Sequence, residues 1–189
     1  MPPLGASRIV GLDLSLTSTG IAIVDVASGE LPAWKTFRVE STGHRGDTLA
    51  QRRQRLSDLA QAICAHVGNP RLVVLEAPAF SRTVGSQHDR SGLWWLIVDI
   101  LALDGVPVTE VMPSGRAKYG TGKGNAAKDA VLAAAIRRYP DADIQGNDVA
   151  DAVILAAMGA RHAGFPVEGN GLPIPNLSAM AGVVWTTEG

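Results

Sequence analysis

Apolar positions recur along the chain in two rhythms, one of strands and one of helices. Residues 9–15 are an apolar run interrupted by a single acid, Asp13, and residues 21–26 are a second run, separated from the first by the tight turn Thr17-Ser18-Thr19-Gly20. After Ala27-Ser28-Gly29-Glu30, residues 34–39 mix large apolar with polar side chains as a third extended segment. Three strands joined by short connections predict an antiparallel meander. Over residues 47–67 the period changes: Leu49, Leu56, Leu59, Ala60, Ile63 and Val67 share one helical face, with Arg52, Arg53 and Arg55 opposite.

Leu72-Val73-Val74-Leu75 is apolar without alternation, as in a strand covered on both faces, and Glu76-Ala77-Pro78 ends it. A polar stretch from Phe80 to Arg90 reads as a loop. Residues 91–103, containing Trp94 and Trp95, form a helix apolar around most of its circumference, which predicts packing on two sides. Residues 106–112 are a fifth strand, 113–124 a Gly-rich basic loop, and 126–138 and 147–162 two more helices. The segment 163–189 holds Pro166, Pro173, Pro175 and several glycines, and is expected to be an extended tail beyond a domain spanning residues 1–162. A meander followed by βα crossovers predicts an α/β protein with a five-stranded mixed sheet, β1-β2-β3 antiparallel and β4 and β5 parallel, flanked by helices; the RNase H-like fold has this order.

At 189 residues and 46% hydrophobic, the chain supports one sizeable core. No apolar run reaches the roughly 18 residues of a membrane span, the N-terminus does not read as an export signal, and the lone Cys64 makes no internal disulfide, so a reducing cytoplasm is expected. Cys64 lies beside an apolar stripe and reads as core. The net charge of −1 conceals a strong asymmetry. Residues 35–55 carry six Lys/Arg against two acids, a net of +4, and residues 113–138 carry six against one, a net of +5. Beyond Tyr139 six acids face one arginine, a net of −5. Basic segments beside an acidic one suit a protein that grips phosphates around a metal site; taken run by run, they also suit plain solvated faces.

Asp13 within a strand and Glu76 at the end of one are charges placed among hydrophobic neighbours, a costly position unless a cation or hydrogen-bond donors offset it. The Thr17-Ser18-Thr19 turn could supply such donors to Asp13. Asp148 and Asp151, three apart in Asn147-Asp148-Val149-Ala150-Asp151-Ala152, project from one helical face, with alanines that permit close approach of a sheet. Stabilisation of the helix dipole is the alternative reading of this pair. Four carboxylates converging on one pocket would suit Mg²⁺ or Mn²⁺, and two ions about 3.5–4 Å apart can drive in-line hydrolysis of a phosphodiester.

These segments resemble the motifs of the RuvC family of Holliday junction resolvases, notably its phage-encoded members. Gly11-Leu12-Asp13-Leu14-Ser15-Leu16-Thr17-Ser18-Thr19-Gly20 is similar to the family's first motif, Leu75-Glu76 to the second and Asn147 to Ala152 to the third. The resemblance covers roughly residues 9–162. It implies catalytic and metal-ligating roles for Asp13, Glu76, Asp148 and Asp151, with two Mg²⁺ or Mn²⁺ ions per site. It implies that Lys118 and Lys128 contact phosphate near the scissile bond, Lys118 as a catalytic residue, and it groups Arg116, Lys123, Phe80 and Arg82 with the DNA-contacting side chains. Phe80 would be the aromatic used against unstacked junction bases. The implied partners are branched DNA, above all four-way junctions, and a second copy of the chain paired through the Trp94/Trp95 helix, in the cytoplasm of a bacterium or of a phage-infected host. The loop 80–90 departs from the family pattern, which leaves forks and flaps open as substrates. Asp13 to Gly20 also resembles the first phosphate loop of actin-like ATPases and sugar kinases, although those enzymes need a second lobe. A non-catalytic DNA-binding protein with a degenerate site is the third reading.

Overall fold

The computed structural model describes residues 6–78, 87–169 and 171–186. Its elements are β1 (Ser7–Asp13), β2 (Ser18–Val26), β3 (Ala33–Glu40), α1 (Leu49–Val67), β4 (Leu72–Glu76), α2 (Gln87–Leu103), β5 (Val108–Val111), α3 (Pro113–Thr121), α4 (Lys128–Arg138), α5 (Asn147–His162) and α6 (Ile174–Leu177), followed by a 3-10 turn at Met180–Gly182. The strands form one sheet in the order β3-β2-β1-β4-β5, antiparallel across β3-β2-β1 and parallel across β1-β4-β5. This is the mixed sheet that the order of elements predicts. Among the described residues, no helix is long and apolar enough to cross a membrane.

Side chains alternate across the central strands and thereby sort the core into two layers. Val10, Leu12, Ile21, Ile23, Val73 and Leu75 face α1 and α2, where they meet Leu59, Ile63, Leu93 and Ile97. Ile9, Ala22, Val24, Leu72 and Val74 face α5, which is buried along nearly its whole length. Helix α5 approaches the sheet closely because glycines line its path. A Cβ on Gly11 would lie 2.0 Å from the Ala152 carbonyl oxygen, and one on Gly20 would lie 2.1 Å from that of Asp148. Gly159 in turn lies against Ile9 and Val74, so α5 runs antiparallel to β1 with its N-terminal turn over the Asp13 end.

Helix α1 begins at a capping box: Thr48 accepts from the Gln51 backbone while the Gln51 side chain accepts from the Thr48 N–H. The stretch from Pro113, expected as a basic loop, is instead the helix α3. Pro113 occupies its first turn, where a missing N–H costs nothing, and Gly122 closes it in the left-handed conformation at φ 84°. Of the glycines that suggested a loop, Gly115 and Gly120 sit inside the helix and Gly122 at its cap.

The segment after His162 also differs from the extended tail expected. Phe165, Val167, Leu172, Met180, Val183 and Trp185 pack on the α5 side of the core, and the Trp185 ring stacks on His162 with centroids 4.2 Å apart. Glu168 is buried, accepting from Tyr119 Oη at 2.7 Å, Tyr139 Oη at 2.9 Å and Arg161 Nη2 at 2.6 Å. Asn176 Nδ2 donates to the Tyr119 carbonyl at 2.7 Å, which fastens α6 to α3. Proline and glycine content suggested extension, but the apolar residues between them supply enough contact to dock the segment.

Candidate functional site

Strand parity and register decide where the first two acids meet. In β1, Asp13 has the same parity as Ile9 and Gly11; in β4, Glu76 has that of Leu72 and Val74, so both belong to the α5 side. The parallel pairing Leu12↔Leu75 then sets Asp13 and Glu76 side by side at the C-terminal ends of neighbouring strands. Asp151, on the second turn of α5, descends onto them because Gly11 and Gly20 admit the helix. Carboxylate oxygens of Asp13, Glu76 and Asp151 all lie within 4.8 Å of one another.

Burial and crowding disfavour the charged forms of Asp13 and Asp151. Burial pushes the Asp13 carboxyl up to about 7, with repulsion from Glu76 and Asp151 added and attraction from Arg116 opposing. Burial likewise raises Asp151 to about 7, against the pull of Arg116. A cluster of hard oxygen donors, desolvated and short of positive charge, fits a divalent ion such as Mg²⁺ or Mn²⁺.

Asp148 is not one of the three. It accepts from the Ser18 hydroxyl and pairs with Arg38, whose Nε lies 3.0 Å from Oδ2. Burial alone would raise its carboxyl, but the bonds from Ser18, Arg38 and the Val149 N–H outweigh that and hold it below the usual range. It remains close enough to repel both Asp13 and Asp151. Arg116, grouped above with the DNA-contacting residues, is instead buried within the cluster: Nε donates to Glu76 Oε2 at 2.7 Å and Nη1 to Asp151 Oδ1. Lys118 lies half-buried on α3, while Lys123 and Lys128 are exposed. Lys128 is close enough to lower the Asp151 carboxyl. Phe80 and Arg82 lie outside the described residues.

Arg38 and the Trp94 indole are partners of the site that the sequence does not single out for it, and Ser18, from the turn read as a source of donors to Asp13, serves Asp148 instead. Ser18 and Arg38 reach Asp148 only because β2 and β3 pass under the start of α5. Trp94 turns inward, its indole Nε1 donating to the Glu76 carbonyl at 3.1 Å, which ties α2 to the end of β4. Trp95, edge-on to it, is 64% exposed.

No family model matches the chain. Curated relatives do match: it is 28% identical over 158 residues to the crossover junction endodeoxyribonuclease RuvC of Rhizobium etli, covering 83% of this chain and 91% of that protein. The RuvC of Agrobacterium fabrum is 27% identical over the same share of each. Among solved structures, Thermus thermophilus RuvC superposes with a TM-score of 0.65 at 17% identity, over 83% of this chain and 96% of that one. The same protein in complex with Holliday junction substrate gives a TM-score of 0.62 at 18% identity, over 79% and 90%. The yeast mitochondrial Holliday junction resolvase Ydc2 gives 0.57 at 11% identity, over 79% and 76%. The resemblance read from the motifs therefore extends over most of the chain, and the fold is that of RuvC.

Proposed function

We propose that the chain is a divalent-metal-dependent endonuclease of branched DNA, a Holliday junction resolvase of the RuvC type. One observation carries the reading: Asp13, Glu76 and Asp151, drawn from three elements far apart in sequence, offer oxygens within 4.8 Å of one another. The RuvC relatives along most of the chain support it.

In this reading Asp13, Glu76 and Asp151 would hold one Mg²⁺ or Mn²⁺ ion, and Asp148, one turn from Asp151, would become a ligand to a second ion once released from Arg38 and Ser18. A metal bound there would supply an activated water and charge neutralisation at the leaving 3′ oxygen of the phosphodiester. The chain's own contribution is placement. Asp13 and Glu76 are fixed by paired strands, and Asp151 by a helix pressed onto glycines, so the carboxylates need little rearrangement. Lys128, close enough to lower the Asp151 carboxyl, and Lys118 and Lys123, on and after α3, would contribute positive charge toward the flanking phosphates. The exposed Trp95 and Leu103 on α2 offer an apolar face for a second copy, which would set two sites across one four-way junction.

Cleavage of labelled four-way junction, fork, flap and linear duplex in Mg²⁺ or Mn²⁺ tests the reading. The four-way junction should be cut by symmetric nicks, and Asp13→Asn should bind it without cutting. Cutting by Asp13→Asn at the wild-type rate would remove the carboxylate cluster from the chemistry, and preference for forks or flaps would replace the junction as substrate. Lys118→Ala should slow cutting and reduce the salt slope of binding by about one unit.

A further inference from the structure

The acidic cluster already contains a cation, the Arg116 guanidinium. Its side chain is 11% exposed, and its two bonded nitrogens point at two different acids, Nε to Glu76 at 2.7 Å and Nη1 to Asp151. These are two of the three groups whose oxygens lie within 4.8 Å of one another. Because guanidinium is planar and permanently charged, such a fork fixes both carboxylates and uses lone pairs that a metal would otherwise take. One guanidinium against three carboxylates leaves two negative charges, which one divalent ion would balance. Asp148 adds to the repulsion on Asp13 and Asp151, but its own charge is offset by Arg38.

Arg116 is also held from behind. It sits on α3 one turn before Tyr119, which is fully buried, bonded through its hydroxyl to Glu168 and through its carbonyl to Asn176. The docked C-terminal segment thus anchors the helix that delivers the guanidinium.

We propose that Arg116 is a resident counter-cation that competes with divalent ions for Glu76 and Asp151, so that the DNA-free chain binds metal weakly. The inference rests on the reading of this cluster as a metal site. It makes Arg116 a positioning residue of the resting site rather than a contact to DNA.

Mn²⁺ binding by the DNA-free protein, followed by the loss of the free-ion electron paramagnetic resonance signal, tests this without any turnover. The titration is run at pH 8.5 so that protons do not compete for the carboxylates, with circular dichroism to establish folding. Arg116→Gln should tighten Mn²⁺ binding by roughly tenfold or more, the equivalent of about one charge-assisted hydrogen bond of competition. Arg116→Lys, which keeps the charge but loses the fork, should bind with an affinity between the two, and serves as the test if the glutamine variant does not fold. Wild-type or weaker Mn²⁺ affinity in a folded variant would overturn the proposal while leaving the metal site standing. Absence of Mn²⁺ binding in wild type and variants alike would overturn both.

Discussion

Gly20 is a β2 residue whose only role in the site is to be small. It pairs with Asp13 across the sheet, and its α-carbon faces the backbone of Asp148. In Gly20→Ala the added Cβ would meet the Asp148 carbonyl oxygen at 2.1 Å, its carbon at 2.3 Å and the Val149 nitrogen at 2.8 Å. All three atoms are backbone, so no rotamer change relieves the clash. An ordinary contact starts at 3.4 Å, which requires the first turns of α5 to retreat by about 1.3 Å. Overpacking of this kind costs about 1–3 kcal/mol, and at about 2–4 °C per kcal/mol for a chain of this size the melting temperature should fall by about 2–12 °C. The same retreat moves Asp151 away from Asp13 and Glu76, and a displacement of about 1 Å can lower a catalysed rate by about 100-fold. Single-turnover cleavage of a labelled four-way junction at saturating enzyme measures the second effect, and thermal unfolding the first. Gly92→Ala is the control, because its Cβ meets only Leu56 Cδ1 at 3.6 Å within an exposed stretch of α2; it should gain about 0.5–1 kcal/mol. A Gly20→Ala protein with wild-type melting temperature and rate would refute the claim that this close approach builds the site.

Two further outcomes follow from the electrostatics. In the metal-free chain Asp13 and Asp151 titrate near 7 when folded, against 3.8 as the ordinary value, so between those pH values the folded state holds more protons than the unfolded. Their contribution to stability is complete below pH about 4 and is lost as pH rises through about 7. Asp148, Asp25 and Asp89 are shifted downward and titrate below this window, while His162, also lowered, opposes the trend in part. Melting in EDTA should therefore fall from pH 5 to pH 8, and Mn²⁺ should reverse the fall; a metal-free protein that gains stability over that range would contradict the burial of these acids. Glu168→Ala removes the shared acceptor of Tyr119, Tyr139 and Arg161 and leaves two buried hydroxyls and a half-buried guanidinium without it. Urea unfolding should show a loss of about 3–5 kcal/mol, and a loss below about 1 kcal/mol would mean that the C-terminal segment is not anchored there.

Much of this architecture was legible in one dimension. The apolar run at residues 21–26, the uniform apolar run Leu72 to Leu75 and the helical stripe ending at Val67 each reflect a local pattern that survives folding, so element type and order could be read directly. Asp13 and Glu76 stood out because a charge inside an apolar strand is locally anomalous. The helix at Pro113 did not stand out, since Gly120 and Gly122 signal a loop unless the packing against Ile154 and the left-handed cap are known. The C-terminal segment misled for a related reason: composition reports how readily a chain bends, whereas docking depends on the surface it meets.

What the order of residues determined alone was a set of acids, their strand parity and the helix that carries two more. The division of labour among them was a tertiary matter. Only the register of β1 on β4, and the depth to which Gly11 and Gly20 let α5 descend, separate the three acids that converge from Asp148, which Arg38 and Ser18 hold aside. In the same way Arg116 belongs by sequence to a basic stretch and by space to the acids. A side chain's charge is a local property, but the partner that balances it is chosen by distances across the fold, and those the chain does not encode in any neighbouring residue.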